Sequence, residues 1–316
     1  MKVYILKKLL MVIPLLIGIS IVVFLISHMI PGSAMELFMG TQVEATPEQM
    51  KELQRLFGED KPLYERYFEW LFGIMKGDFG VSLRTARPVL QDIRDRFPLT
   101  LELTLLSLTM AIVMGIPIGI FSAGRHSRFT TNLIRILSLL GLSIPRFWLA
   151  TLLIIFFARY FHISTVGVYV NFTQDPLRNL ATLLLPAFSM ALSMAAVLVR
   201  FTRTSMLEVM SSDYVRTARA KGLSESVVLK KHALKNALLP VITVIGFYAG
   251  YLLGGSIITE EIFALPGMGR LMLYAIEKRD YPLIQGIVLI VALLFILINI
   301  FVDILYGIID PRIRYE

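Results

Sequence analysis

The chain alternates long apolar stretches with short charged segments. A helix needs about 20 apolar residues to cross the hydrocarbon core of a bilayer. Six stretches reach that length, and they run approximately over residues 9–30, 99–123, 133–161, 180–199, 237–259 and 283–309. The pattern therefore predicts an all-α, polytopic membrane protein with six transmembrane helices.

Lysine and arginine are concentrated on one side of these stretches. In short loops, the side richer in these residues is the cytoplasmic side. The concentrated set lies before the first stretch, between the second and third, between the fourth and fifth, and after the sixth: Lys2, Lys7, Lys8, Arg125, Arg128, Arg203, Arg216, Arg219, Lys221, Lys230, Lys231, Arg312 and Arg314. We therefore expect a multi-pass membrane protein with both termini cytoplasmic.

The alternation divides the chain into three parts. Residues 1–30 are expected to form an N-terminal segment and the first transmembrane helix. Residues 31–98 would form an extracytoplasmic loop with short helices. Residues 99–316 would form a five-helix core, with a cytoplasmic loop at 200–236.

The extracytoplasmic loop carries signals for two short helices. A capping box with proline at the first helical position opens a helix over 46–58. A second helix over 62–77 has an apolar face that would lie on the bilayer, on a partner or on the protein's own outer rim. The mixed-charge run 92–96 is interpreted as a solvated lead-in to the second stretch.

The segment 213–240, between the fourth and fifth stretches, is the most informative one. Ser212 and Asp213 are suited to cap a first helix. Gly222 is placed to end that helix in the left-handed conformation, which glycine adopts without steric cost. Ser224 would then cap a second helix.

The second helix of this segment has the charge order that a helix dipole favours. Glu225 lies in its first turn, and Lys230 to His232 lie in its last turn. Leu223, Val227 and Val228 give it an apolar edge. An exposed apolar edge on a charged loop indicates a docking surface for another protein.

The segment resembles the cytoplasmic loop in the membrane-spanning subunits of bacterial ABC importers. The signature of that loop is EAA, three residues, then glycine. Ala218 and Gly222 fit the second alanine and the glycine, whereas Arg216 and Thr217 stand where the signature has Glu and Ala. The variant ARAKG followed by HALKNALLP is similar to that of the branch that handles dipeptides, oligopeptides, glutathione and nickel complexes.

Other marks of the same family recur along nearly the whole chain. In the first half of the chain they are IP at Ile13 and Pro14, PG at Pro31 and Gly32, GDFGxS at Gly77 to Gly80 with Ser82, and SxPxF at Ser143, Pro145 and Phe147. In the second half they are GGS at Gly254 to Ser256, EIF at Glu261 to Phe263, PGxGR at Pro266, Gly267 and Gly269, and RDYP at Arg279 to Pro282. Each mark is weak alone. Their order and spacing together make the resemblance strong.

The resemblance implies a type I ABC importer permease fold that forms half of a translocation pore in the bacterial inner membrane. It implies a second, homologous permease subunit, two ATPase subunits that bind ATP and Mg²⁺, an extracytoplasmic solute-binding protein and membrane lipid as partners. No cofactor is expected on this chain. The residues expected to couple it to the ATPases are Arg216, Ala218, Arg219, Lys221, Gly222, Leu223, Ser224, Glu225, Val227, Val228, His232, Asn236 and Pro240.

The substrate stays open at this point. Dipeptides or oligopeptides are the leading expectation, nickel or a nickel chelate is the alternative, and glutathione is third. A self-contained channel or secondary transporter is a lower alternative of another class. The apolar stretches lack the acid and base relay that proton or sodium coupling usually requires.

Polar and small residues inside the apolar stretches are candidates for the translocation path. Arg146 follows Pro145 in the third stretch, where a charge is expected to face a cavity, a partner or a kink rather than lipid. It would meet the carboxylate of a passing peptide or the backbone carbonyls freed at the proline. The fifth stretch carries a small-residue face that allows close helix contact and that the resemblance places beside the path: Gly250, Gly254, Gly255 and Ser256.

Composition excludes several other classes of protein. With 56% hydrophobic residues and a mean hydropathy of +0.71, the chain is too apolar for a soluble globular protein. The net charge of +8 is mostly a topology signal, and no soluble domain remains to bind nucleic acid. Because the chain has no cysteine, no HExxH motif and no P-loop lysine, we expect no metal site and no enzyme activity.

Overall fold

The structure is a computed structural model that describes residues 2–29, 61–124, 128–163 and 166–309. The helix expected over 46–58 lies outside these residues. The described helices are α1 Lys2–Met29, α2 Leu63–Met75, α3 Val89–Ala123, α4 Arg128–Ser143, α5 Arg146–Phe161, α6 Pro176–Met210, α7 Asp213–Ala220, α8 Glu225–Val227, α9 Leu234–Gly255, α10 Ile257–Ile262, α11 Met268–Glu277 and α12 Tyr281–Ile309. A π-helical turn, Val228–Ala233, joins α8 to α9.

The all-α prediction is confirmed. In the described residues, regular structure is helical apart from one isolated bridge between Val81 and Pro88. Five helical stretches there are long and apolar enough to cross a membrane, and α4 with α5 makes a sixth if the bent pair is counted as one span.

The third apolar stretch is broken, where the sequence predicted one continuous helix over 133–161. α4 and α5 meet at an angle of 98°. Pro145 between them has φ −61° and ψ 134°, an extended conformation. It has no N–H for a continuing helix, and the residue before a proline disfavours the helical conformation. The single helix is therefore corrected to two helices with a sharp bend at residues 144–145.

The core is built on the contact between α3 and α6. A Cβ atom at Gly115 of α3 would lie 2.6 Å from the Cβ of Leu198, and one at Gly119 would lie 2.5 Å from the Cβ of Thr202. Helix backbones approach this closely only where one of them lacks a side chain. In its most apolar window α6 is 72% buried, against 33% or less for the other candidate spans. α6 is therefore the centre of the bundle.

The last helix, α12, is held from two sides. A Cβ atom at Gly250 of α9 would lie 2.4 Å from the ring of Phe295 in α12. On the other side, Gln285 of α12 donates a hydrogen bond from Nε2 to the Oγ of Ser27 in α1. Both of these polar side chains are buried, and bonding them to each other avoids the cost of an unpaired polar group.

α3 begins at Val89, well before the predicted start of the second span. The mixed-charge run 92–96 therefore lies in its first turns. Asp92 is only 5% exposed, and it pairs with Arg87 at 2.9 Å and accepts a hydrogen bond from Thr85 at 2.9 Å. The expectation of a solvated run is wrong for Asp92, because a buried carboxylate needs such partners.

α2 forms where the sequence predicted the second short helix. It follows Pro62, and Gly77 just beyond its end has a φ of 86°. The hydroxyl of Tyr67 lies 2.8 Å from the Oγ of Ser20 in α1, and its ring centre lies 5.4 Å from that of Phe24. The Tyr67 side of α2 therefore packs on α1, at the protein's own outer rim, which is one of the three positions expected for the apolar face.

The α3–α6 contact generates a stability prediction. Gly115→Val should lower the free energy of unfolding by about 1–3 kcal/mol, because the added methyl groups meet the backbone carbonyl of Ala195 as well as Leu198. Thermal unfolding of the purified protein in detergent measures the loss. Gly18→Val is the matched control, since nothing lies within 4 Å of a Cβ atom there. Equal melting temperatures for the two variants would contradict the close contact.

Candidate coupling loop and polar clusters

The loop between α6 and α9 opens with α7, and α7 ends as predicted. Gly222 has a φ of 77°, the left-handed conformation, and its N–H donates to the carbonyl of Arg219 at 2.9 Å. The start of α7 differs from the prediction. Ser212 occupies the N-cap position, but its hydroxyl donates to the carbonyl of Val209 and does not cap the helix.

α8 is not a separate helix. It continues through the π-helical turn into α9, so that Glu225–Gly254 is one helical stretch. The predicted helix end at Lys230 to His232 is therefore wrong, because these residues lie in the π-helical turn. The helix continues beyond them, so their positive charges do not face the negative end of a helix dipole. Ser224 takes the N-cap position without a side-chain cap, and its carbonyl accepts from the N–H groups of Val227 and Val228.

The inner side of the loop is a small apolar cluster. Val215, Ala218 and Val228 are buried and pack with the half-buried Val209 and Met210 of α6. Val228 therefore lies inside the loop and not on the exposed edge to which the sequence assigned it. This cluster fixes α7 and α8 against the end of α6, since burying apolar surface is the main stabilising term available to so short a segment.

The outer side of the loop is apolar and basic. Leu223 is 39% exposed, Val227 is 40% exposed and Tyr214 is 44% exposed. Lys221 and Arg216 are exposed beside them. We name these five residues the docking surface. It combines three exposed apolar or aromatic side chains with two cations.

A charged pair fixes the angle between α7 and α8. Arg219 donates from Nε to Oε1 of Glu225 at 2.8 Å, and its Nη1 reaches the carbonyl of Met210 at 3.4 Å. The guanidinium thereby joins three elements, α6, α7 and α8. A hydrogen-bonded arginine fork of this kind adds geometric specificity as well as energy.

The remaining predicted coupling residues lie outside the docking surface, although Asn236 contacts one of its members. His232 is half-buried in the π-helical turn, and Pro240 is exposed within α9. Asn236 connects α9 back to α7, because its Nδ2 donates to the hydroxyl of Tyr214 at 2.9 Å. The structure thus brings the residues from Arg216 to Val228 together and places these three along the following helix.

Arg146 is the first residue of α5, at the bend of the third span. Its Nε donates to the Oγ of Ser193 at 3.0 Å, and its guanidinium carbon lies 5.4 Å from the centre of the Tyr251 ring. Among the described residues, neither a carboxylate nor a freed backbone carbonyl pairs with it. Placing a charge at the centre of a bilayer costs about 2.5–3.5 kcal/mol on insertion scales. One hydrogen bond and one cation–π contact offset only part of such a cost.

The small residues of the fifth span mediate packing. Gly250 and Gly254 face α12, Gly255 ends α9, and Ser256 is buried beyond it. Arg146 meets the same helix at Tyr251, the residue after Gly250. Phe247 and Tyr251 lie on the exposed side of α9, and the planes of their rings differ by 14°.

The sequence reasoning missed a buried acid, Glu260. Its side chain is fully buried, and its carboxylate accepts hydrogen bonds from Thr100 at 2.8 Å, from Ser256, and from the backbone N–H of Arg270 at 2.9 Å. A Cβ atom at Gly267 would lie 2.3 Å from the carboxyl carbon, which explains the glycine there. One carboxylate thus joins α3, α10 and the first turn of α11.

A second missed acid, Asp280, joins the turn before α12 to the turns before α3. It is fully buried. It accepts hydrogen bonds from the hydroxyl of Ser82 and from the N–H of Leu83 at 3.3 Å. Arg84 strengthens the same junction by donating to the carbonyl of Lys278 at 3.1 Å. The GDFGxS and RDYP segments, far apart in sequence, therefore form one structural unit.

A third acid, Glu102, organises the segment between α5 and α6. It accepts from Asn179 at 2.8 Å and from the hydroxyl of Tyr169 at 3.2 Å. Burial, and after it the charge of Glu102, raises the pKa of Tyr169 to about 12, so its hydroxyl remains a donor at neutral pH. All three acids lie near the edge of an apolar stretch, where a carboxylate that becomes buried must find partners.

Solved structures share this architecture. The inward-facing MetNI methionine ABC transporter matches with a TM-score of 0.55 at 17% sequence identity, covering 70% of this chain and 97% of that chain. A second crystal form of it matches with a TM-score of 0.54 at 18% identity, covering 69% and 96%. At these identities the likeness concerns the fold alone. The fold is that of a type I ABC importer permease, as predicted.

Sequence comparison gives the family. The model of the binding-protein-dependent transport system inner membrane component matches residues 115–315, and the model of the N-terminal part of such components matches residues 1–104. The chain belongs to this family of multi-pass inner-membrane permease subunits. The expectation of an ABC importer permease is therefore confirmed.

Three relatives resemble the chain over its whole length. The dipeptide transport system permease protein of Alkalihalophilus pseudofirmus is 41% identical, with 100% of each chain covered. The corresponding dipeptide permease of Escherichia coli K12 is 40% identical, with 99% of each covered. The glutathione transport system permease protein of Escherichia coli K12 is 42% identical, with 99% of each covered. These matches place the chain in the peptide branch of the family.

The Glu260 cluster generates a prediction with a neighbouring control. Glu260→Gln should lower the free energy of unfolding by about 1–3 kcal/mol, because an amide N–H₂ group replaces an oxygen that accepts hydrogen bonds in a buried site. Glu261→Gln alters the next residue, whose pair with Arg270 at 3.1 Å is exposed. It should cost less than about 1 kcal/mol. Thermal unfolding in detergent compares the two, and equal losses would contradict the assigned role of Glu260.

Proposed function

We propose that this chain forms half of the translocation pore of an ATP-driven importer of dipeptides or oligopeptides. The observation that carries the proposal is the 41% identity to a dipeptide permease over the full length of both chains. Identity spread over a whole permease includes its cargo-facing and partner-facing surfaces. It therefore supports a shared substrate class more strongly than a local match would.

Glutathione is the second candidate substrate. A glutathione permease is 42% identical to the chain, and glutathione is itself a peptide. Nickel has weaker support. The described residues contain no group of three or more His, Cys, Asp or Glu side chains that could hold a metal ion, so nickel would cross as a ready-made chelate.

The proposed assembly contains a second, related permease subunit, two ATPase subunits and an extracytoplasmic solute-binding protein. ATP and Mg²⁺ would be bound by the ATPase subunits, since this chain has no P-loop lysine. The second permease subunit would cover the exposed aromatic side of α9, and the translocation path would run between the two subunits. In this arrangement Phe247 and Tyr251, which are 57% and 46% exposed, face the path or its border.

The proposed coupling mechanism depends on the continuity of α8 with α9. A force applied to the docking surface would be transmitted along one helix to the membrane interior. The Arg219–Glu225 pair at 2.8 Å makes α7 move with α8. ATP-driven approach of the ATPase subunits would then change the access of the pore from one side of the membrane to the other.

Reconstitution tests the function directly. The chain would be co-expressed with the permease, ATPase and solute-binding proteins encoded beside it, and the complex placed in proteoliposomes. We expect ATP-dependent uptake of labelled dialanine that requires the binding protein. Uptake of glutathione but not of dialanine would favour the second candidate, and dialanine uptake that needs no ATP would contradict the proposal.

The proposed orientation gives a labelling prediction, which the cysteine-free chain makes simple. Cysteine at Ser226, next to the docking surface, should not react with a membrane-impermeant maleimide on spheroplasts. Cysteine at Gln174, in the exposed turn before α6, should react. Permeabilised cells should label both positions. Labelling of Ser226→Cys before permeabilisation would place the loop outside and remove the coupling proposal.

The left-handed glycine gives a coupling prediction. Gly222→Val should introduce a strain of roughly 1–2 kcal/mol or more at a φ of 77°. Because that residue sets the angle between α7 and α8, the variant should insert normally while losing most peptide-stimulated ATP hydrolysis and uptake. The measurements are ATPase rate and uptake of the reconstituted complex.

Gly77→Val is the matched control for this experiment. Gly77 also has a positive φ, 86°, and neither glycine has an atom within 4 Å of an added Cβ. The two variants therefore carry similar strain in different loops. Gly77→Val should keep its ATPase subunits attached and stimulated. Normal uptake by Gly222→Val would mean that this loop is not the coupling element.

A further inference from the structure

We propose that Arg146, with Ser193 and Tyr251, forms a subsite inside the membrane for the carboxylate of a peptide in transit. This inference rests on the proposed function and specifies which part of the substrate the chain recognises. Neither the fold nor the family assignment assigns this role to Arg146. The inference is drawn from the side chain's incomplete set of partners.

The guanidinium of Arg146 has unused hydrogen-bonding capacity. It carries five N–H donors, and within the described part of the chain only Nε has a hydrogen-bond acceptor, the Oγ of Ser193 at 3.0 Å. The side chain is half-buried, not enclosed. Its two terminal nitrogens therefore remain open to a ligand, and they present the planar fork that pairs bidentately with a carboxylate.

Its neighbours orient the arginine without neutralising it. Ser193 is a neutral acceptor, and the Tyr251 ring, 5.4 Å away, contributes only a cation–π attraction. A positive charge held in an apolar region attracts an anion more strongly than it would in water. The ligand that this site suits is thus a small anion with oxygen atoms.

The location fits cargo rather than lipid headgroups. Ser193 lies near the midpoint of α6, Pro176–Met210, a helix long enough to cross the membrane. Arg146 therefore contacts α6 within its apolar stretch 180–199 and not at either end of the helix. Tyr251 belongs to the exposed aromatic side of α9, which is the proposed border of the path. A peptide carboxylate that crosses this depth needs a counter-charge, and Arg146 is placed to supply it.

Peptides with and without the carboxylate provide the test. Proteoliposomes with the complete complex would import labelled dialanine and dialanine amide, each at a concentration that saturates the binding protein. The variant rate is divided by the wild-type rate for each peptide, which cancels any preference of the binding protein. Arg146→Gln should slow dialanine about 10-fold or more, the effect of losing a charge-assisted hydrogen bond, and change the amide less than two-fold.

Two further variants separate charge from folding. Arg146→Lys should retain more dialanine uptake than Arg146→Gln but less than the wild type, because lysine keeps the charge and loses the planar fork. Arg159→Gln removes a guanidinium from the other end of the same helix, where the side chain is exposed. It should import both peptides at the wild-type rate, and all variants should co-purify with equal amounts of the second permease subunit.

If the wild-type complex imports dialanine but not dialanine amide, a chemical rescue tests the inference instead. Arg146→Cys would be treated with a methanethiosulfonate reagent that adds an aminoethyl group, whose ammonium donates hydrogen bonds, or with one that adds a methyl group, and the wild-type complex would receive both as a control. The cationic reagent should restore dialanine uptake and the neutral one should not.

Three results would overturn the inference. They are equal slowing of both peptides by Arg146→Gln, unchanged uptake of both, and rescue by the neutral reagent as good as by the cationic one. Equal slowing with loss of the second permease subunit would instead assign Arg146 to an ion pair between subunits. If the wild-type complex imports no dialanine at all, the proposed function itself is wrong. That result differs from failure of the carboxylate subsite alone, in which the wild-type complex still imports dialanine.

Discussion

The close contact of α3 with α6 is the constraint on which the rest of the structure depends. Two glycines, Gly115 and Gly119, let these 35-residue helices touch at their backbones. In lipid, helices gain little from the hydrophobic effect and associate through close packing and hydrogen bonds. α4, α5 and α9 then pack around α6, and the loop that follows α6 starts from its end.

Buried acids provide the second level of organisation. Glu260 and Asp280 are fully buried, and Glu102 is half-buried. Each holds together segments that are far apart in sequence. All three carboxylates accept hydrogen bonds from hydroxyl, amide or backbone donors. These bonds fix the relative positions of the segments they join, whereas apolar packing alone would let those segments slide past one another. The loop between α6 and α9 relies on a different combination, a small apolar cluster and the Arg219–Glu225 pair.

The sequence predicted the features that depend on local chemistry. Apolar length identified the spans, and Gly222 was assigned a left-handed conformation because only the local backbone decides it. The bend of 98° at Pro145, the inward position of Val228 and the partners of Glu260 were not predicted. The position of Val228 and the partners of Glu260 depend on which distant residues come together, and neither periodicity nor motif spacing carries that information. The bend was missed because the apolar pattern continues across Pro145, although the proline itself interrupts the helix. The merging of α8 with α9 was missed because lysines interrupt the apolar pattern at a place where the backbone remains helical.

The π-helical turn Val228–Ala233 has an evolutionary consequence. Such a turn accommodates one residue more than an α-helical path of the same length, and one residue corresponds to a rotation of about 100°. Side chains before and after it therefore need not share a common register. A deletion of one residue at this point can be absorbed by converting the π-helical turn to α geometry. The loop end of the helix and its apolar portion are consequently free to change separately.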